Sequence, residues 1–218
     1  MRELTDGLWW WTARHPEWHP RGFGDVVGCY AVTHGEGTLL IDPLLPVDAD
    51  RTLAELDAIM RAPVAIMVTI PYHVRSARQL AERYDAEIWG HPAVLKRPID
   101  PDRFREVVPG AALPGGASAF TIGSPRRYEM PLYLPSHRAL VFGDALVVAD
   151  GALRVWLQTT PKPSTEGWFQ SRLRPTFEPL LNLDVDRVLV THGEPVLADA
   201  MRALSEAIAG PPWFHGPS

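Results

Sequence analysis

The chain reads as an α/β sandwich, and two observations predict it. First, Val64–Ile70 begins as an unbroken apolar run, is stopped by Pro71 and is followed by a helical pattern with Leu80 and Tyr84 four apart, which is how a central strand feeding a helix reads. Second, β-hairpin signals are interleaved with such strand–helix units in one continuous run. Glycine-bearing Thr33-His34-Gly35-Glu36-Gly37 joins Val26–Val32 to Gly37–Ile41, and Pro135-Ser136-His137-Arg138 joins Leu132–Leu134 to Ala139–Phe142. Hairpins mixed with βα units give packed sheets with helices outside, not a doubly wound single sheet.

In order along the chain, Leu4–Trp11 is expected as a first strand, followed by a loop over residues 13–22 punctuated by Pro16, Pro20 and Gly22. Asp50–Met60 places Leu53, Leu56, Ile59 and Met60 on one helical face. Glu87–Gly90 is a second buried strand that ends at His91-Pro92. Residues 93–123 are rich in proline and glycine, with short strands expected at Glu106–Val108 and Ala119–Ile122. Ala145–Ala149 continues as a short apolar run, and residues 158–175 are polar and loop-like, in the manner of a lid. Thr176–Leu183 is expected as a short helix, Arg187–Val190 as a strand and Val196–Ala209 as the last helix. Trp9, Trp10 and Trp11 alternate in a strand, so they serve the core, while Trp18 and Trp168 are the candidates to wall an apolar pocket.

The 218 residues, 46% of them hydrophobic, suit one large domain over 1–218 with a well-buried core. A net charge of -5 without a long basic run argues against nucleic acid as a partner. No apolar run reaches the ~20 residues needed to cross a bilayer, and the N-terminus lacks the basic-then-apolar pattern of a signal peptide. The single Cys29, set in an apolar strand, reads as a packed core thiol and fits a reducing, cytoplasmic setting. A small-molecule substrate is the expected partner, and the apolar N-terminal strand leaves a homodimer open.

Three apolar strands end in a residue able to ligate metal: Val64–Ile70 before His73, Ala139–Phe142 before Asp144, and Val188–Val190 before His192. Two imidazoles and a carboxylate from separate strand ends can close one face around zinc or iron. Each residue taken singly is equally a loop or helix cap. His15 and His19, in the loop after the first strand, either supply a further ligand or proton shuttle or simply order that loop. His91, at a strand end, reads as structural or as facing the same edge. The string Thr-His-Gly-Glu occurs at 33–36 and at 191–194, and only the second copy lies at a strand end before a helix.

The succession Leu39-Leu40-Ile41-Asp42-Pro43, His73-Val74-Arg75-Ser76-Ala77, Phe142-Gly143-Asp144 and Thr191-His192-Gly193-Glu194-Pro195 resembles the metallo-β-lactamase superfamily over residues 24 to 206. That resemblance implies a four-layer αββα sandwich with a metal site at one edge, in a family that hydrolyses lactams, thioesters, lactones and phosphodiesters. It makes His73 the last histidine of the family's His-x-His-x-Asp-His segment, Asp144 the bridging carboxylate, His192 the final histidine ligand and Asp42 a supporting acid. The remaining positions of that segment hold Val68, Ile70 and Tyr72, and another ligand position falls near Ser124. Tyr72 thus replaces the acid that activates water, and Arg75 stands where the family has glycine. Two outcomes follow. Either one divalent metal, zinc or iron, survives on His73, Asp144 and His192 (with His15 as a possible fourth ligand), and Tyr72 and Asp144 serve hydrolysis of a small ester, lactone or amide. Or no metal binds, Arg75 or Arg127 neutralises Asp144, and the domain binds a ligand or partner or works by acid–base means alone.

Overall fold

A computed structural model describes residues 1–16, 18, 23–35, 37–123, 128–157 and 162–214, the side chain of residue 34 excepted. It contains a seven-stranded sheet, a four-stranded sheet and a two-stranded ribbon. The large sheet runs β1 (Arg2–Thr5), β2 (Leu8–Arg14), β3 (Val26–His34), β4 (Gly37–Ile41), β5 (Val64–Val68), β6 (Glu87–Gly90) and β7 (Phe104–Glu106), in chain order. The first four strands pair antiparallel as a meander, and β4 to β7 are parallel. Helices α1 (Asp50–Ile59) and α2 (Ala77–Tyr84) make the β4–β5 and β5–β6 crossovers. The small sheet has the order β13 (Arg187–Val190), β10 (Ala139–Phe142), β9 (Leu132–Leu134), β8 (Ser118–Ala119). The ribbon pairs β11 (Leu146–Ala149) with β12 (Ala152–Val155), and α3 (Pro163–Trp168) and α4 (Ala200–Ala209) follow.

Strand alternation explains the layering. Leu40, Ile66, Val68 and Ile88 point to one face of the large sheet and bury with Leu56 of α1 and Leu80 of α2. Their neighbours Leu39, Ile41, Ala65 and Met67 point to the other face and meet Leu132, Leu134, Val141 and Leu189 of the small sheet. Residues next to those, Leu140, Phe142, Val188 and Val190, turn away to pack on Leu204 and Ile208 of α4 and on Phe177. Period-two side chains on strands buried on both faces therefore generate helix, sheet, sheet and helix in sequence. This is the αββα sandwich that the sequence predicts.

Several boundaries differ from the sequence reading. The first strand is two strands, because Gly7 at φ +72° turns the chain between Thr5 and Leu8. The short strands expected at Glu106–Val108 and Ala119–Ile122 form as β7 and β8, displaced toward the N-terminus. The lid-like segment is largely helical over its described residues, 162–175, with 158–161 outside them: α3 passes through the turn Phe169–Leu173 into a 3₁₀ stretch at Arg174–Asn182. Phe169, Leu173, Phe177 and Leu180, four apart or nearly so, are fully buried and anchor it to the core. Strand β12 has no counterpart in the sequence reading, and the last helix begins at Ala200 instead of Val196, which instead pairs with Val188. Trp11 is buried, Trp9, Trp10 and Trp168 are partly buried against the core, and Trp18 is exposed. No helix among the described residues is long and apolar enough to cross a membrane.

Ile66 sits at the centre of β5, fully buried. Ile66→Val is expected to lower stability by about 1 kcal/mol, the effect of one deleted methylene in a packed core. Urea unfolding should show a lower midpoint with an unchanged slope, and an unchanged midpoint would contradict this packing.

Candidate functional site

The topology brings distant residues to one edge. Strands β4, β5 and β6 are parallel, so their carboxyl ends deliver Asp42, Thr69 with the following turn, and His91 to the same rim. Strands β10 and β13 are also parallel and in register to Phe142↔Val190, so Asp144 and His192 leave their sheet side by side. The two sheets are tied at this rim by Gly28 N–H to Thr191 O (2.7 Å) and Tyr30 Oη–H to Val190 O (2.7 Å). Glycine is required at 28, since a Cβ there would lie 2.9 Å from Val190 O.

Asp42 is buried and adopts φ +48°. Its Oδ1 accepts from Thr69 N (2.8 Å), and its Oδ2 accepts from Thr69 Oγ1 (2.5 Å) and faces His73 Nδ1 at 2.8 Å. The other ring nitrogen, His73 Nε2, lies 3.1 Å from Asp144 Oδ1, and His192 Nε2 lies 3.5 Å from the same oxygen. Asp42, His73, Asp144 and His192 thus form one continuous chain of acid, imidazole, acid and imidazole. Beneath it, fully buried Glu129 accepts from the backbone N–H groups of Gly143 and Ala145 (3.0 Å each), clamping the peptide units on either side of Asp144.

The two imidazoles are driven apart electrostatically. Burial and the Arg75 guanidinium both work against a charge on His73, but the carboxylates of Asp144 and Asp42 outweigh them and push it up to about 9. Burial dominates at His192 and lowers it, because only one carboxylate opposes the effect. Burial also opposes a charge on Asp144, yet the imidazoles beside it hold its carboxyl well below the usual carboxylate range. His73 is therefore an imidazolium at neutral pH, and His192 is neutral. His192 packs against Phe23 (ring centroids 4.7 Å apart) and Trp156 (5.5 Å), and its Nδ1 is buried without a hydrogen-bond partner among the described residues.

Other expected residues fall elsewhere. Tyr72 does not join the acid–imidazole chain: its side chain is 69% exposed, with the Arg97 guanidinium 4.4 Å above the ring. Arg75 does not pair with Asp144; its Nη1 donates to the main-chain oxygen of Asp42 (3.1 Å), and the imidazoles neutralise Asp144 instead. His15 follows β2, half-buried, with its main-chain N–H on Asp25 O (2.7 Å). His91 Nδ1 accepts from Ala93 N (3.0 Å), a local cap, and its ring stacks on Tyr128. His19, Ser124 and Arg127 lie outside the described residues. Cys29 is fully buried and burial pushes its thiol up to about 11, as befits a packed core residue. Sequence reasoning missed Thr69, Glu129 and the aromatic neighbours of His192. A signal existed for Glu129, a lone carboxylate directly before the apolar Met130-Pro131-Leu132.

The family resembled implies two metal ions. Val68 and Ile70, at two of the ligand positions, are buried aliphatics that cannot bind one. His73, Asp144 and His192 are suitable donors in type, but they close directly on one another, and His73 has a carboxylate at each ring nitrogen. Among the described residues, no group of three or more His, Cys, Asp or Glu side chains is placed to hold a metal ion. The residues as arranged do not fit the pair of ions.

No protein-family model and no curated protein matches the chain. Solved structures do. A metallo-β-lactamase family protein from Thermus thermophilus superposes with a TM-score of 0.63 at 18% identity, over 95% of this chain and 80% of that one. A metallo-β-lactamase from Erythrobacter litoralis gives 0.66 at 17% identity, over 95% and 94%. An archaeal metallo-β-lactamase superfamily protein from Sulfolobus tokodaii gives 0.66 at 16% identity, over 93% and 84%. The chain has the metallo-β-lactamase fold.

Proposed function

We propose that the protein is a hydrolase-like member of this fold that acts on a small ester, lactone or amide, with a site reduced to Asp42, His73, Asp144 and His192. The observation that carries the reading is two imidazoles sharing the Asp144 carboxylate while their environments push them to opposite protonation states. Such a divergence assigns an acid and a base. His192, kept neutral by burial, is the base that takes the proton of an attacking water. His73, protonated and aligned by Asp42, gives its Nε2 proton to the leaving oxygen or nitrogen as the carbon–heteroatom bond breaks. Asp144 holds both rings and stabilises the charge that moves from one to the other.

The alternative is a single divalent ion, zinc or iron, on His73, Asp144 and His192, which would require the His73 proton to leave and the three side chains to move from their present arrangement. Such an ion would activate water as a Lewis acid.

A screen of small esters, lactones and amides with purified protein tests the reading. Turnover should rise with pH as His192 loses its proton, hold a plateau, and fall near pH 9 as His73 loses its own. His192→Gln should lower kcat/KM about 10²-fold. Turnover that survives a chelator supports the acid–base centre, whereas turnover lost to chelation and restored by zinc replaces it with the mononuclear one. A folded protein without turnover on any of these classes overturns catalysis and leaves a ligand-binding domain.

A further inference from the structure

We infer that the substrate carries a carboxylate, which is read at the rim of the site by Arg97 stacked on Tyr72; the inference rests on the hydrolase reading above. Tyr72 directly precedes buried His73 in the turn Pro71–Val74, yet its own side chain is 69% exposed. That turn packs on the neighbouring turn Pro92–Lys96, and Arg97 is the residue that closes the second turn, its N–H bonded to Val94 O (2.9 Å). Its guanidinium lies 4.4 Å over the Tyr72 ring. An exposed tyrosine is thus spent on holding a cation beside the reaction centre.

Like Arg61, Arg75 and Lys96 of the same half, the cation has no ion pair among the described residues, whereas its other neighbours are neutralised. Arg78, Arg83, Arg103 and Arg105, on the same half of the molecule, each pair with a carboxylate (Glu82, Asp57, Asp85 and Glu87). Arg97 has no carboxylate partner among the described residues, in a chain whose net charge is -5. A guanidinium stacked on a ring keeps its in-plane N–H fork free and fixed, which suits bidentate capture of a planar anion. A second flat wall stands on the same rim, where His91 stacks on half-exposed Tyr128 (4.8 Å, 28°). The rim therefore offers a fixed fork for a carboxylate and apolar faces for a flat body attached to it.

Calorimetric titration of the intact protein with phenylacetate, phenylacetamide and phenyl phosphate tests this without requiring turnover. Phenylacetate should bind at least tenfold tighter than phenylacetamide, and Arg97→Ala should erase that difference while leaving the unfolding midpoint in place. Arg97→Lys, which keeps the charge and loses the fork, should recover only part of it, and Tyr72→Ala should weaken phenylacetate binding as well. Equal or absent binding of acid and amide, or an Arg97→Ala protein that still discriminates, overturns the inference. Tighter binding of phenyl phosphate overturns the carboxylate assignment in favour of a phosphate. Charge-selective binding without any hydrolysis sinks only the hydrolase reading; hydrolysis unaffected by substrate charge sinks only this one.

Discussion

Asp42→Ala is expected to destabilise the protein by about 3–5 kcal/mol, the range for breaking a buried, hydrogen-bonded charge network on one side. The carboxylate accepts from both the backbone and the hydroxyl of Thr69 and holds His73 Nδ1, all out of solvent. Its removal strands the Thr69 donors at the end of β5 and leaves the His73 imidazolium with one carboxylate instead of two. Part of the loss depends on pH, and its sign is fixed. His73 sits at about 9 in the folded protein against an ordinary 6.5, so its contribution is fully present below about 6.5 and disappears as pH rises through about 9. The gap between wild type and variant should therefore be widest near neutrality and narrower at pH 9.5, where the lost Thr69 bonds alone remain. Urea unfolding at both values measures it. A gap that is constant, or that widens with pH, would mean that His73 is not held as an imidazolium between two acids. Asp42→Asn, which keeps acceptor and shape but not the charge, should fall between the two proteins.

What can be read from residue order is whatever depends on period and on strand ends. Val64–Val68 and Ala139–Phe142 are apolar at every position because both faces are buried, and that alone places them centrally. Parallel strands then carry their C-terminal residues to one rim, so His73, Asp144 and His192 are legible as a set of strand-end residues, and in the structure they lie together with Asp42. Side-chain direction is not legible. Tyr72 and His73 are adjacent, yet one faces solvent and the other is buried, because the short turn after Pro71 obeys neither strand nor helix periodicity. Glu129 and Thr69 escape notice because their partners are backbone groups or residues 27 positions away, which no local pattern announces. The segment after residue 162 reads as polar loop because its apolar residues are diluted by arginine, proline and serine. Their spacing at 169, 173, 177 and 180 nonetheless matches one face of a helix.

Gly193→Ala is expected to cost at least about 3 kcal/mol, from two effects that act at the same atom. Gly193 has φ +90°, a conformation that side chains adopt only under strain of roughly 1–3 kcal/mol. A Cβ there would also lie 2.5 Å from Val148 O and 2.7 Å from Val148 Cβ, so strand β11 would have to move. That strand is what fixes the site from this side, since Val148 N–H donates to His192 O (2.9 Å). The same methyl therefore attacks both the fold and the position of His192, and the imidazole cannot keep its 3.5 Å approach to Asp144 if β11 withdraws. Gly151→Ala separates the two effects: Gly151 has φ +75°, but none of the described residues comes within 4 Å of its Cβ position, so strain alone applies and about 1 kcal/mol is expected. Thermal unfolding of both variants gives the comparison, with the fluorescence of Trp156 beside His192, taken as the difference from a Trp156→Phe protein, as the local probe. If Gly193→Ala melts no lower than Gly151→Ala and leaves that fluorescence unchanged, the close passage of β11 over the His192–Gly193 peptide is wrong, and with it the account of how this rim holds its base.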